Sequence, residues 1–189
     1  MTNGSKHSCG LDDGSIVNLS VRDYLDKTKT FKHCAKGWRT GVDFIEQVDP
    51  LPLEPYYLGV WLGDGISENS NVVSVESEIA DYLGEYASRL GLELRADKVF
   101  KSDTMFTYAI TKPGGEKHTH PVRQALRLHG LIKNKHVPHA YKTASRTERL
   151  QLLAGVIDTD GCLGNGGYEL TLKSERLLDD VIFVARSLG

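Results

Sequence analysis

The chain has 189 residues, of which 40% are hydrophobic and 25% charged, and its formal net charge at pH 7 is −2. This composition supports a buried core and excludes a disordered or fibrous protein. No apolar run approaches the roughly 20 residues that a membrane-spanning helix needs, so we expect no membrane partner. The N-terminal stretch has no apolar signal region, which favours an intracellular, non-secreted protein of the cytoplasm or nucleus.

Residues 1–50 are polar and weakly patterned. Alternation over Ser15–Val21 predicts a short strand, and Val21–Leu25 is typical of the beginning of a helix. The prolines in Asp49–Pro52 break the chain, so we expect residues 1–50 to be an N-terminal extension.

The three cysteines are scattered, which argues against a disulfide framework and fits a reducing compartment. Zinc ligands could in principle come from His7, Cys9, His33 and Cys34. Their spacing is irregular and lacks the usual C-x-x-C pair, so unrelated polar residues are the favoured interpretation.

Residues 51–145 are predicted to mix helices and strands. Pro55 suits the first turn of a helix, and the apolar run Tyr56–Leu62 predicts a buried helix that ends at Gly65. Hydrophobic periodicity predicts further helices over 78–90 and 121–131, and strands near 72–75, 92–94 and 105–110.

Residues 146–189 are predicted to repeat this beginning. Ser145 and Glu148 have the spacing of a capping box that opens a helix ending at Gly161. A strand over 168–172 and an amphipathic helix over 175–188 follow.

Two segments of the chain match each other. YYLGVWLGDG (56–65) aligns without a gap with LLAGVIDTDG (152–161) at an offset of 96 residues. A second match, of Tyr86–Gly91 with Val184–Gly189, has an offset of 98. Two matches in order indicate a duplicated unit of helix, two strands, helix, two strands and helix. We expect the second copy to be incomplete, because the sequence ends after its second helix.

Each repeated helix ends in an aspartate, Asp64 or Asp160. A carboxylate at the negative end of a helix costs about 0.3–1 kcal/mol, and two such helices side by side would add repulsion. Mg²⁺ would offset both penalties, since it prefers oxygen ligands. Gly59 and Gly155 would let the two helices pack closely. Ordinary buried helices that end in Asp-Gly turns are the alternative.

Charge is unevenly distributed along the chain. Residues 114–150 have a net charge of +6 and the remainder −8, and the same segment holds five of the seven histidines. Such a basic segment is typical of a polyanion-binding surface, although a solvated helix face is the alternative.

The two motifs resemble those of LAGLIDADG (DOD-type) homing endonucleases of the intein-encoded kind. LLAGVIDTDG is close to the family motif, and LGVWLGDG resembles its divergent first copy. The resemblance implies an α/β (α+β) protein with the αββαββα homing-endonuclease fold. Its first repeat would be residues 51–145 and its second, truncated repeat 146–189. Residues 1–50 resemble, more weakly, a remnant of an intein splicing domain, so a host protein would be a partner.

The resemblance implies site-specific, Mg²⁺-dependent hydrolysis of phosphodiester bonds in double-stranded DNA. Asp64 and Asp160 would be catalytic metal ligands. Lys135, in the stretch Lys135–Pro138, would activate water or stabilise phosphate charge, with a plain phosphate contact as the alternative. Further DNA contacts are expected from Lys98, Lys101, Lys112, Arg123, Arg127, Lys133 and Lys142.

Several alternatives stay open. Because half of the second repeat is missing, the chain would be inactive or a fragment, and a non-catalytic DNA- or RNA-binding relic or a maturase-like partner of the same fold is the main alternative. A haloacid-dehalogenase-like phosphatase is disfavoured, because only 28 residues follow the DxDG sequence that ends at Gly161. An EF-hand beginning at Asp158 would have Leu163 where glycine is needed.

Overall fold

The computed structural model describes residues 14–45, 49–113, 120–164 and 166–189. The chain divides into two compact units, Met1–Thr40 and Gly41–Gly189. Over the described residues there are eight helices and five strands in two antiparallel sheets, which confirms the α+β class. None of the helices in these ranges is long and apolar enough to cross a membrane.

The described part of the first unit contains two short helices, α1 (Val21–Leu25) and α2 (Lys29–Cys34). The predicted strand over 15–21 is not formed. Instead, the Ser20 hydroxyl accepts the Asp23 N–H at 3.1 Å and caps α1. The zinc candidates His7 and Cys9 lie outside the described residues.

Six helices and five strands of the second unit are described. The helices are α3 (Pro55–Asp64), α4 (Ser77–Arg89), α5 (Pro121–Leu128), α6 (His139–Lys142), α7 (Arg146–Asp160) and α8 (Glu175–Leu188). The strands are β1 (Val72–Ser74), β2 (Glu93–Lys98), β3 (Phe106–Thr111), β4 (Gly161–Gly164) and β5 (Gly167–Leu170).

Antiparallel pairing builds both sheets. The larger has the order β1-β3-β2, with Val73 opposite Thr107 and Ala96 opposite Tyr108. The smaller is a hairpin of β4 and β5, with Leu163 opposite Tyr168. After α3 there is one strand, β1, and a single bridge from Gly65 to Val72, rather than the two predicted strands.

Helix α3 lies at the centre of the second unit. Tyr57, Leu58 and Trp61 are fully buried, so α3 is apolar on all sides, as expected of a helix enclosed by others. It packs most extensively against α7, which begins at the predicted capping box. There the Ser145 hydroxyl accepts the Glu148 N–H at 3.3 Å, and Glu148 Oε2 accepts the Ser145 N–H at 2.9 Å.

Helix α5 is shorter than predicted. It ends at Leu128, because His129 closes its last turn and Gly130 adopts a left-handed backbone with φ 63°. The chain then runs from Leu131 to Pro138 without regular structure and carries Lys135. This stretch, residues 131–138, is referred to below as the lysine loop.

Candidate functional site

The two motif helices, α3 and α7, cross at a pair of glycines. A Cβ built on Gly59 would lie 3.0 Å from Cα of Gly155 and 3.0 Å from the Val156 nitrogen, and would collide with the Leu152 carbonyl oxygen. A Cβ on Gly155 would likewise lie 2.8 Å from the Val60 nitrogen. These are backbone contacts, so only glycine fits at either position without moving a helix.

This close crossing brings Asp64 and Asp160 together at the carboxyl ends of α3 and α7. A Cβ built on Gly63 would lie 3.1 Å from Oδ2 of Asp160, so this carboxylate lies directly beside the end of α3. Both aspartates are half-buried.

Burial and mutual repulsion disfavour the ionised aspartates. Burial raises the pKa of Asp64 to about 6, the charge of Asp160 adds to the shift, and Glu76 contributes in the same direction. Burial also raises the pKa of Asp160. The positive charge of Lys135 opposes both shifts.

Lys135 is a cation whose charge acts on both aspartates. Its Nζ donates to the Gly63 carbonyl oxygen at 2.8 Å and lies 5.4 Å from the centre of the Trp61 ring. Burial lowers the pKa of Lys135 to about 8, while Asp160 and Asp64 favour its charged form. The site therefore combines two destabilised carboxylates with one half-buried ammonium.

The donor set suits a hard cation only in part. Two carboxylates and the carbonyl oxygens at the helix ends are the oxygen ligands that Mg²⁺ prefers, and Mg²⁺ keeps several waters of its own. Within the described ranges, no three His, Cys, Asp or Glu side chains group closely enough to hold a metal by themselves. A cation held by Asp64 and Asp160 would therefore need water to complete its coordination.

A pH-dependent stability follows from the raised pKa of Asp64. An aspartate ionises near 3.8 when exposed and near 6 here, so ionisation costs stability as the pH rises from about 4 to about 6. Asp64→Asn removes this cost, and we expect it to raise the free energy of unfolding at neutral pH by about 1 kcal/mol, after allowance for solvent screening.

Thermal unfolding in chelator at about pH 4 and about pH 7 tests this expectation. The gain from Asp64→Asn should disappear at the lower pH, where the wild-type carboxyl is protonated. Asp81→Asn, on the exposed side of α4, is the matched control and should have little effect at either pH. A gain of equal size at both pH values would contradict the assigned cost.

Four of the predicted DNA-contacting residues are exposed cations: Lys98, Lys101, Arg127 and Lys133. Lys98 forms an ion pair with Asp103, with 3.0 Å between Nζ and Oδ1. Lys101 and Lys133 both adopt a left-handed backbone, with φ of 63° and 60°. Lys112 and Arg123 are half-buried. The roles of these residues as DNA contacts stay predictions.

Lys142 has a different environment. Its Nζ lies 2.6 Å from Oδ1 of Asp180, and both side chains are largely buried. The second oxygen of Asp180 accepts the Val137 N–H at 2.9 Å. Lys142 is therefore held in the fold by α8, through Asp180, a residue that no pattern in the sequence predicts.

Arg149 is also not part of the basic surface, although it lies in the basic segment. It is fully buried, and its guanidinium donates to the carbonyl oxygens of Ala144, Ser187 and Val42. The position of Arg149 in the helix indicates its burial, because Arg149 lies on the same face of α7 as Leu152, a buried core residue. Residues 114–119 of the basic segment lie outside the described ranges.

A scan against protein-family models finds no match. A search of curated proteins finds the replicative DNA helicase DnaB of Mycobacterium intracellulare, which is 33% identical over 136 residues. The match covers 71% of this chain and 19% of the relative, so the chain spans about a fifth of the relative's length.

This relative contradicts the endonuclease prediction. The similar protein is named a replicative DNA helicase, so the recognition as a homing endonuclease, the DNA-cleaving function and the enzyme class are wrong. The alternative of a non-catalytic relic or maturase-like partner gains no support from it. The motif itself gives a physical reason for this error. Its residues account for two helices that cross at glycines and end in Asp-Gly. Such a pattern specifies packing and two carboxylates, and it does not specify a reaction.

Proposed function

We propose that this chain is a DNA-binding region of a protein similar to replicative DNA helicase. In it, Asp64 and Asp160 would hold Mg²⁺, and Lys135 would contact a phosphate beside the metal. The observation that carries the proposal is the meeting of both carboxylates and the Lys135 ammonium at the joined ends of α3 and α7.

The electrostatics of the site support a cation there. Burial raises the pKa of both carboxylates, and the charge of Asp160 raises the pKa of Asp64 further. A divalent cation would stabilise both ionised groups, and its remaining charge would attract an anionic phosphate. Lys135 would add a compact, flexible positive charge of the kind that binds phosphate.

The surroundings support a polyanion as the ligand. Arg127 precedes the lysine loop and Lys133 lies within it, and both are exposed, so their charges are available to phosphates. Double-stranded DNA is the ligand that we propose, because the name of the relative connects that protein with DNA and the predicted contacts extend over many residues. An intracellular location remains a prediction of the sequence.

We infer that α3 to α5 and α7 to α8 descend from one repeated unit. Both parts begin with a motif helix that is followed by strand structure and a second helix, which supports this inference. The boundaries predicted near residues 50 and 145 stay predictions.

We expect binding to a DNA duplex to weaken steeply as salt rises, because each neutralised phosphate contributes about −0.9 to the slope of log K against log salt. Lys133→Ala should lower the magnitude of that slope by about one, since it removes one exposed phosphate contact. Fluorescence anisotropy with a labelled duplex at several salt concentrations measures both quantities.

Lys29→Ala, an exposed lysine of α2, is the matched control and should leave the slope unchanged. Binding that is absent, or independent of salt, would contradict the proposal. A supercoiled plasmid incubated with the protein and Mg²⁺ should stay intact, and strand breaks that require Asp160 would contradict a binding role without cleavage.

A further inference from the structure

We propose that Asp180 is a positioning residue for Lys135. The proposal rests on the proposed function, because it assigns Asp180 to the site where Lys135 would contact a phosphate. It concerns how a lysine on a loop without regular structure is held against the end of α3.

Helix α8 holds the lysine loop on both sides of Lys135. Before it, Nη1 of Arg176 donates to the Asn134 side-chain oxygen at 3.0 Å. After it, Oδ2 of Asp180 accepts the Val137 N–H at 2.9 Å. Arg176 and Asp180 are four residues apart, so they lie on the same face of α8.

The two contacts differ in how well they are protected from water. The Arg176 contact is exposed, whereas Asp180 and Val137 are buried. A hydrogen bond between a backbone N–H and a carboxylate is stronger than a neutral one, and burial removes the competition from water. Asp180 is therefore the main anchor of the loop on this side.

Lys142 stabilises Asp180 as a buried anion while Asp180 anchors the lysine loop. Its Nζ lies 2.6 Å from Oδ1 of Asp180, which leaves Oδ2 to accept the Val137 N–H. The carboxylate thus joins three elements: α8, α6 and the lysine loop. Its loss would free the loop at a point two residues after Lys135.

The expected consequence is a change in where the Lys135 side chain lies. Its Nζ reaches the Gly63 carbonyl oxygen at 2.8 Å and lies 5.4 Å from the centre of the Trp61 ring. The methylene protons beside Nζ should therefore show a ring-current shift that depends on the anchored loop. This signal reports position, and it does not require metal or DNA.

Two double variants isolate the anchor. Asp180→Asn with Lys142→Met keeps an oxygen that can accept the Val137 N–H and removes both charges. Asp180→Ala with Lys142→Met lacks the side-chain amide, and with it that oxygen. Circular dichroism and thermal unfolding would establish that both are folded.

We expect the Asn variant to retain the ring-current shift of Lys135 and the Ala variant to lose it. In DNA-binding assays the slope of log K against log salt should be smaller in magnitude by about one for the Ala variant than for the Asn variant. This is the change expected for the loss of one phosphate contact. Lys135→Ala introduced into either variant should remove this difference.

Equal Lys135 shifts in the two folded variants would overturn the proposal. So would unequal slopes that persist after Lys135→Ala, because the effect would then not act through Lys135. If the wild-type protein does not bind DNA, the proposed function fails, and the comparison of ring-current shifts still decides the role of Asp180.

Discussion

Arg149→Met is expected to lower the free energy of unfolding by about 3–5 kcal/mol, because several buried hydrogen-bond acceptors lose their donor. Three carbonyl oxygens, those of Ala144, Ser187 and Val42, accept hydrogen bonds from the guanidinium. Methionine fills the space but leaves these acceptors without their donor, and each unsatisfied buried group costs about 1–3 kcal/mol. The ring of Phe44, 4.8 Å from the guanidinium carbon, would also lose its cation.

Urea unfolding of the two proteins measures this difference. Arg146→Met is the matched control, because Arg146 is exposed at the start of the same helix and should change stability by less than about 0.5 kcal/mol. Lysine at position 149 should rescue little, since one ammonium cannot reproduce the separate directions of the guanidinium donors. A loss of less than about 1 kcal/mol for Arg149→Met would contradict the assigned role.

Gly155→Ala should produce the second-largest effect, a loss of about 3 kcal/mol, because overpacking in a close contact forces the backbone to move. The added Cβ would lie 2.8 Å from the Val60 nitrogen and would collide with the Tyr56 carbonyl oxygen. These atoms belong to the backbone of α3, so no side-chain rotation relieves the contact. Moving α3 would also displace Asp64 from Asp160.

Gly84→Ala is the control for this substitution. A Cβ at that position on α4 would meet only Cδ2 of Leu94, at 3.9 Å, among nearby atoms. Alanine should therefore raise stability there by about 0.5–1 kcal/mol through its higher helix propensity. Chemical denaturation of both variants gives the comparison, and similar stabilities for the two would show that the crossing of α3 and α7 is looser than described.

Local sequence signals correctly predicted where the two central helices, α3 and α7, begin. Pro55 begins α3, and Ser145 with Glu148 opens α7, because both features act through the nearest turn of backbone. The meeting of Asp64 with Asp160 could also be predicted, since the repeat placed both at equivalent ends of matching helices.

Features that depend on tertiary contacts could not be predicted. Nothing in the sequence near Lys142 indicates that Asp180, 38 residues away, holds it in an ion pair. Arg149 contributes to the net charge of residues 114–150, and its buried contacts could not be predicted because they depend on acceptors from the backbone of other segments. The strand expected over 15–21 failed because alternation alone cannot compete with the Ser20 cap of α1.

The function was predicted least well, because the two repeated motifs describe a helix crossing and a pair of carboxylates. The similarity to a replicative DNA helicase overturned the reaction that the motifs had suggested. The carboxylate pair itself is unaffected by this correction, since it follows from how α3 and α7 pack.

The most direct test of the account is a calorimetric titration of Mg²⁺ into the protein without DNA. We predict binding to the wild-type protein and to Asp81→Asn, and loss of that binding in the Asp64→Asn, Asp160→Asn double variant. Equal Mg²⁺ affinity in the double variant and the wild-type protein would contradict the assignment of Asp64 and Asp160 as metal ligands.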